Sequence, residues 1–236
     1  MPLELQDRQL GRVVVIKASG RIVAGPEAQK VESCVNKLHP QCQDLVLDVA
    51  DVNFIDSSGL GTLVRLAARV RRSGGDLKLC APPPPVQRLL KLTNLLQVFE
   101  VHESEVDAVS AFYRRCRPAE AKADAPACRV LCIHPNVDTL VYLREVLRRS
   151  GYDAVTTSNV PDAMVLLKAT APALVVLSDE MQSARGRATA AMLREARPGV
   201  PVIALQQDFS SQEAGEAGDW LLQAVRSHLG SASATQ

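Results

Sequence analysis

Apolar positions along this chain switch between two periods. Short β-branched runs, typical of buried strands, alternate with stretches that repeat apolar residues every three or four positions, typical of amphipathic helices. Arg12–Ala18, centred on Val13-Val14-Val15-Ile16, predicts a strand, and Arg21-Ile22-Val23-Ala24 a second, bracketed by Gly20 and Gly25. A helix follows from Pro26, with Ala28, Val31, Cys34, Val35 and Leu38 on its apolar face. Leu45–Val49 reads as a strand and Leu60–Arg72 as a helix that Gly74-Gly75 stops. Asp76–Cys80 alternates as a strand should. Pro82–Pro85 is a stiff connector, with Pro85 able to start a helix carrying Val86, Leu89, Leu90 and Leu92. A short strand over Val98–Val101 and a helix over Glu103–Arg115 complete this half.

The alternation restarts at Arg129. Strands are expected at Val130–Ile133, Ala154–Thr157, Ala173–Leu177 and Val200–Leu205. Helices are expected at Thr139–Arg149, Pro161–Thr170, Thr189–Ala196 and Gly218–Leu229. Such β-α-β-α repetition predicts an α/β fold with a parallel sheet and helices on both faces. Between the halves, Arg117–Pro126 is small, charged and flanked by proline, the composition of an exposed linker. The organisation is therefore a first domain over 1–116, a linker over 117–127 and a second domain over 128–230. A small, polar tail at 231–236 is expected to be disordered.

Length supports this division, since 236 residues can bury two cores. Charge is balanced, with 27 Lys and Arg against 26 Asp and Glu, and aromatics are only 3%. Both features argue against a nucleic-acid surface, which needs a basic stripe and stacking rings. The six cysteines form no C-x-x-C pair, and Cys34, Cys80 and Cys132 lie in apolar segments as small core residues. No metal site or cofactor is expected, and neither a leader nor a membrane span is visible, so the reading is a reduced, cytoplasmic protein.

One stretch carries chemistry. Asp56-Ser57-Ser58-Gly59-Leu60-Gly61 places an acid, two hydroxyls and two glycines where a strand hands over to a helix. Free backbone N–H groups and the positive end of the helix dipole favour an anion there. Read locally, it is an Asp or Ser helix cap with a glycine turn. Its context is more specific. Leu45–Asp48, Phe54–Gly61, Gly74–Leu79, Val86–Thr93 and Leu96–Phe99 follow one another in an order that resembles a STAS domain, the fold of bacterial anti-sigma factor antagonists. The similarity spans roughly residues 4–114.

That resemblance implies a STAS-type mixed sheet with helices and a switch by phosphorylation. The first serine of the motif, Ser57, is then the phosphoacceptor of an anti-sigma factor that is also a serine kinase, and a serine phosphatase reverses it. Ser58 is the second candidate, its hydroxyl better suited to capping the helix. Asp56, Ser57, Ser58, Gly59, Leu60 and Arg21 form the expected partner surface, Gly59 allowing a partner's backbone or nucleotide close approach. Arg21 departs from the family, whose members often carry an acidic segment after the first strand. Arg65, Arg69 and Arg72 share one helix face, which reads as a solvated charged surface or, more sharply, as a dock for an acidic partner.

In the second half, Leu147–Val155, Pro172–Leu177 and Arg197–Leu205 resemble a response-regulator receiver domain, a flavodoxin-like fold, over roughly 128–229. Its chemistry is missing. His134-Pro135 stands where the resemblance implies a magnesium-binding acidic pair, Ser178 where it implies the acceptor Asp, and Gln206 where it implies the switch hydroxyl. No lysine follows Lys168, so no phosphate-clamping lysine exists. A hard cation needs oxygen ligands that His-Pro side chains do not offer. The reading is a pseudo-receiver with a reduced last β/α unit, acting as an interaction or dimerisation module. No catalytic triad or phosphate loop appears, so the chain reads as a non-enzymatic regulator, with a phosphorylation-independent scaffold or accessory subunit of a transporter or sensor complex as the alternative.

Overall fold

Strands and helices alternate in space as the apolar pattern alternates in sequence, and they do so twice. The computed structural model describes residues 2–38, 44–115, 128–181, 189–205 and 214–230, in two compact units, Met1–Arg117 and Pro118–Gln236. Residues 117–127, 206–213 and 231–236, which hold the expected linker, Gln206 with the expected reduced unit, and the tail, lie outside the described set, as do Cys42 and Cys116.

The first unit is a five-stranded mixed sheet in the order β1-β2-β3-β4-β5, formed by Glu4–Leu10, Val13–Ile22, Asp44–Ile55, Asp76–Cys80 and Val101–His102. β1 runs antiparallel to β2, and every other pairing is parallel. Helices α1 (Pro26–Leu38), α2 (Ser57–Arg72) and α3 (Pro84–Leu92) share one core with Val14, Ile16, Leu45, Leu47, Leu77 and Leu79. The alternate residues Val13, Val15 and Val46 are buried on the other face, which α4 (Glu105–Arg115) covers with Ala108, Val109 and Phe112.

Several boundaries differ from the sequence expectation for identifiable reasons. β1 is a missed edge strand, because Glu-Leu-Gln-Asp-Arg-Gln is polar and mostly exposed. The two strands expected around Gly20 are one strand, β2. Gly20 sits at φ +101° where the register against β3 shifts, and a Cβ there would lie 2.3 Å from the carbonyl oxygen of Pro2. β3 runs on to Ile55, bringing the sheet's edge directly to Asp56. The strand expected at 98–101 is instead a 3-10 turn, Leu95–Gln97, followed by the two-residue β5.

β4 carries the largest departure. Its alternation suggests a polar face, yet all five residues are buried because α4 closes over Asp76 and Lys78. The Lys78 side chain is fully inaccessible. Its ammonium pairs with Glu100, lies 3.8 Å from Asp76 Oδ2 and stands 4.8 Å from the centre of the Phe112 ring. Burial raises the Asp76 carboxyl, but Arg71 at 2.7 Å and Lys78 outweigh it and hold the pKa below the ordinary value. A buried charge is tolerated only with such partners.

The second unit is a four-stranded parallel sheet among the described residues, in the order β7-β6-β8-β9. The strands are β6 Arg129–Ile133, β7 Asp153–Thr157, β8 Leu174–Ser178 and β9 Val202–Leu205. Helices α5 (Val137–Arg149) and α8 (Ala214–Gly230) share a core with Val130, Cys132, Leu174 and Val176. The alternate residues Leu131, Ile133, Val175 and Leu177 are buried on the other face, where α6 (Val160–Thr170) and α7 (Thr189–Ala196) pack. Among the described residues no helix is long and apolar enough to cross a membrane, and the cysteines are free, with Cys80 and Cys132 buried and Cys34 half-buried.

Replacing Lys78 tests the buried pair. Lys78→Ala is expected to destabilise the first unit by on the order of 2 kcal/mol, because it removes the ion pair with Glu100 and leaves a cavity. Lys78→Met, which retains an aliphatic chain over Phe112, is expected to cost about half as much. Urea midpoints of first-unit amide resonances measure both.

Candidate functional site

The parallel strands β2 and β3 end side by side, and each turns there into a helix. Asp56 lies at the junction as the N-cap of α2, with extended backbone (φ −89°, ψ 175°). Its Oδ1 accepts the Gly59 N–H at 2.7 Å, and its Oδ2 accepts the Ala24 N–H at 3.0 Å. One carboxylate thus fastens the start of α2 to the turn that starts α1. Those two N–H groups, Gly59 first and then Ala24, hold the Asp56 pKa below the ordinary carboxylate value. The expectation that Ser58 caps the helix is corrected: the cap position belongs to Asp56, and Ser58 is already inside the first turn.

Gly59 is buried, and an ideal Cβ on it would lie 2.2 Å from the Ile22 carbonyl oxygen. That same oxygen accepts the Asp56 N–H at 3.2 Å. The space expected for a partner is therefore filled by the chain's own β2. Leu60 is likewise in the core, only 6% exposed, so neither residue presents a side to a partner.

Ser57 and Ser58, the first two residues of α2, are exposed. They open on a cleft of about 330 Å³ between α1 and α2, walled by Ser57, Ser58, Gly61 and Arg65 on one side and Ala28 and Glu32 on the other. Arg21 stands on the last stretch of β2, exposed, its guanidinium 5.0 Å from the centre of the Phe54 ring on β3. Phe54 is 47% exposed and was not marked by sequence reasoning, although its place two residues before Asp56 was a usable signal.

The arginine face of α2 is not a uniform solvated stripe. Arg69 crosses to α1, bonding the Asn36 side chain and reaching Glu32 at 3.2 Å. Arg65 folds along its own helix and donates to Thr62 Oγ1 at 2.8 Å.

In the second unit, His134 follows β6 and Ser178 ends β8, so the two stand at the same end of neighbouring parallel strands. His134 Nδ1 accepts the Asn136 N–H at 3.0 Å, and burial lowers its pKa. Pro135 is exposed and Ser178 is buried. Asp179 and Glu180 lie beyond β8 on a 3-10 turn. Among the described residues, no cluster of three or more His, Cys, Asp or Glu side chains is arranged to hold a metal ion.

Residues 4–108 match the STAS domain family. The chain is similar to the anti-sigma F factor antagonist of Paenibacillus polymyxa, 26% identical over 113 residues, 47% of this chain and 95% of that protein. Among solved structures it is similar to an anti-sigma factor antagonist from Mycobacterium paratuberculosis (24% identical, 46% of this chain and 92% of that one, TM-score 0.42). It is also similar to SpoIIAA in its unphosphorylated form (19% identical, 46% of this chain and 96% of that one, TM-score 0.41). The family match lies within the first unit and ends before the second unit begins.

Two variants separate the roles of the glycines. Gly59→Ala is expected to destabilise the first unit by about 1–3 kcal/mol through overpacking against Ile22. Gly61→Ala, whose new methyl meets only the Arg65 side chain at 3.6 Å, is expected to be neutral or mildly stabilising. Urea unfolding read on β2 amides distinguishes them.

Asp56 gives a pH signature. Its folded pKa is depressed, so its contribution is fully present above the unfolded value near 3.9 and is lost as pH falls through the folded value. The stability gap between wild type and Asp56→Asn is therefore expected to be constant from neutral pH to about 5 and to shrink below about 4. Chemical unfolding of both proteins across that range measures it.

Proposed function

We propose, from a STAS domain at residues 4–108, that this chain is a non-enzymatic anti-sigma factor antagonist switched by phosphorylation of Ser57. The relatives support the general role, binding of an anti-sigma factor. The observation that carries the finer reading is the placement of Ser57: exposed, first in α2, and held beside a cleft by a cap whose two carboxylate oxygens each accept a backbone N–H. A kinase partner has access to this hydroxyl without unfolding anything.

The chemistry is supplied mostly by the partner. Ser57 Oγ attacks the γ-phosphorus of the kinase's ATP, forming the new Oγ–P bond as the bond to the bridging oxygen breaks. ADP leaves and the hydroxyl proton passes to a base on the kinase. The product carries about −1.5 to −2 charges beside Asp56, which repels an acidic surface and blocks a close-fitting one. The unphosphorylated form binds the anti-sigma factor, and a serine phosphatase restores it. Arg21 and Phe54 extend the contact surface next to Ser57, and Arg21 favours a partner with an acid at that point.

We read the second unit as a pseudo-receiver that serves as an interaction module. Its strand order agrees with the first four strands of a flavodoxin-like sheet. His134-Pro135 and Ser178 at the strand ends supply no carboxylate for magnesium or phosphoryl chemistry there.

Incubation with the serine kinases of the anti-sigma type from the same genome, with ATP, tests the switch. Wild type is expected to gain one phosphoryl group by intact mass, Ser58→Ala to gain it equally, and Ser57→Ala to gain none. Equal labelling of Ser57→Ala sinks the assignment.

A further inference from the structure

The cleft beside Ser57 holds a cation, Arg65, that forms no ion pair among the described residues. Ser57, Gly61 and Arg65 recur at four-residue spacing on α2, and helical side chains slant back toward the N-terminus. Gly61 leaves the position between them bare. Arg65 uses that space: its Nη1 lies 3.6 Å from where a Cβ at residue 61 would be. Its guanidinium is thereby drawn back along the helix to the level of Gly61. Four residues, about 6 Å along the axis, separate that level from Ser57. A short relay fixes it there, since Arg65 Nη2 donates to Thr62 Oγ1 at 2.8 Å and Thr62 Oγ1 donates to the Ser58 carbonyl at 3.0 Å.

Among the described residues, the carboxylate of the cleft wall and that of the helix cap are already engaged. Glu32, on the α1 wall, is taken by Arg69 at 3.2 Å. Asp56 spends one oxygen on Gly59 and the other on Ala24. Arg65 itself forms no ion pair among the described residues. The cleft that joins it to Ser57, about 330 Å³, has room for a phosphoryl group.

We propose that Arg65 is the internal counter-ion of the Ser57 phosphate, seating it in the cleft between α1 and α2. This rests on Ser57 as the phosphoacceptor and adds what happens to the phosphate once it is there. The phosphorylated protein then differs from the free one by a filled and closed cleft as well as by charge. Arg65 acts through the phosphate's position and is a positioning residue.

The test installs phosphoserine at position 57 by genetic-code expansion in the full chain, so that no kinase is needed, and follows the phosphate by 31P NMR against pH. In wild type the second ionisation is expected below the ordinary value of about 6. Arg65→Gln is expected to raise it by about 0.5–1 unit, because the dianion loses its neighbouring cation. Arg65→Lys keeps a charge and is expected to retain most of the depression. Arg72→Gln, on the last turn of α2, is expected to leave it unchanged. Asp56, Glu32, Arg69 and Arg21 are present throughout and cancel from the comparison. The difference between wild type and Arg65→Gln is also expected to shrink in 1 M salt, where the screening length is about 3 Å. An identical ionisation in wild type and Arg65→Gln, or an equal shift in Arg72→Gln, overturns the proposal. Failure of kinase labelling at Ser57 is a separate result that counts against the phosphoacceptor reading alone.

Discussion

A single carboxylate holds two crossover connections in place. Asp56 takes one backbone N–H from the turn entering α1 and another from the first turn of α2. The Ile22 carbonyl completes the knot by accepting the Asp56 N–H and lying against Gly59. Everything proposed for Ser57 depends on this arrangement, since it fixes where α2 begins relative to β2 and β3. The exposed serines are presented by a junction anchored on the buried Ile22, Gly59 and Leu60, which is how a rigid scaffold delivers a reactive hydroxyl to another protein.

Much of this was legible in the sequence. The strand–helix handover at Asp56–Gly61, the helix stop at Gly74-Gly75 and the restart at Arg129 all follow from period and punctuation. What period could not reveal was who uses the special residues. Gly59 was open to reading as a space left for a partner; only the third dimension shows β2 in that space. β1 escaped because an edge strand with a polar sequence has no apolar alternation to announce it. Arg65, Arg69 and Arg72 looked alike on a helical wheel, yet Arg69 reaches across to α1 while Arg65 lies along its own helix. Side-chain direction and neighbouring helices, absent from a one-dimensional pattern, decide between them.

The two units contrast in what their strand ends offer. In the first, the ends of β2 and β3 present hydroxyls and an exposed guanidinium stacked on an exposed ring. In the second, the corresponding end of β6 leads into a histidine that accepts a local N–H to shape the turn into α5, and β8 ends on a buried serine. An acceptor-rich edge of the kind that gathers a divalent ion does not arise from those groups.

Lys78 has a consequence for how the first sheet assembles. In β4 its neighbours Leu77 and Leu79 belong to the core beneath α1, α2 and α3, while Lys78 faces α4. Sliding β4 by one residue would exchange the faces and drive an ammonium group, with the Asp76 carboxylate beside it, into a cluster of leucines and valines, away from Glu100. A purely apolar strand would tolerate that slip with modest loss. With a charged residue in the middle, the misaligned sheet is penalised heavily, so Lys78 acts as proofreading during folding, rejecting the wrong alignment more strongly than it favours the right one.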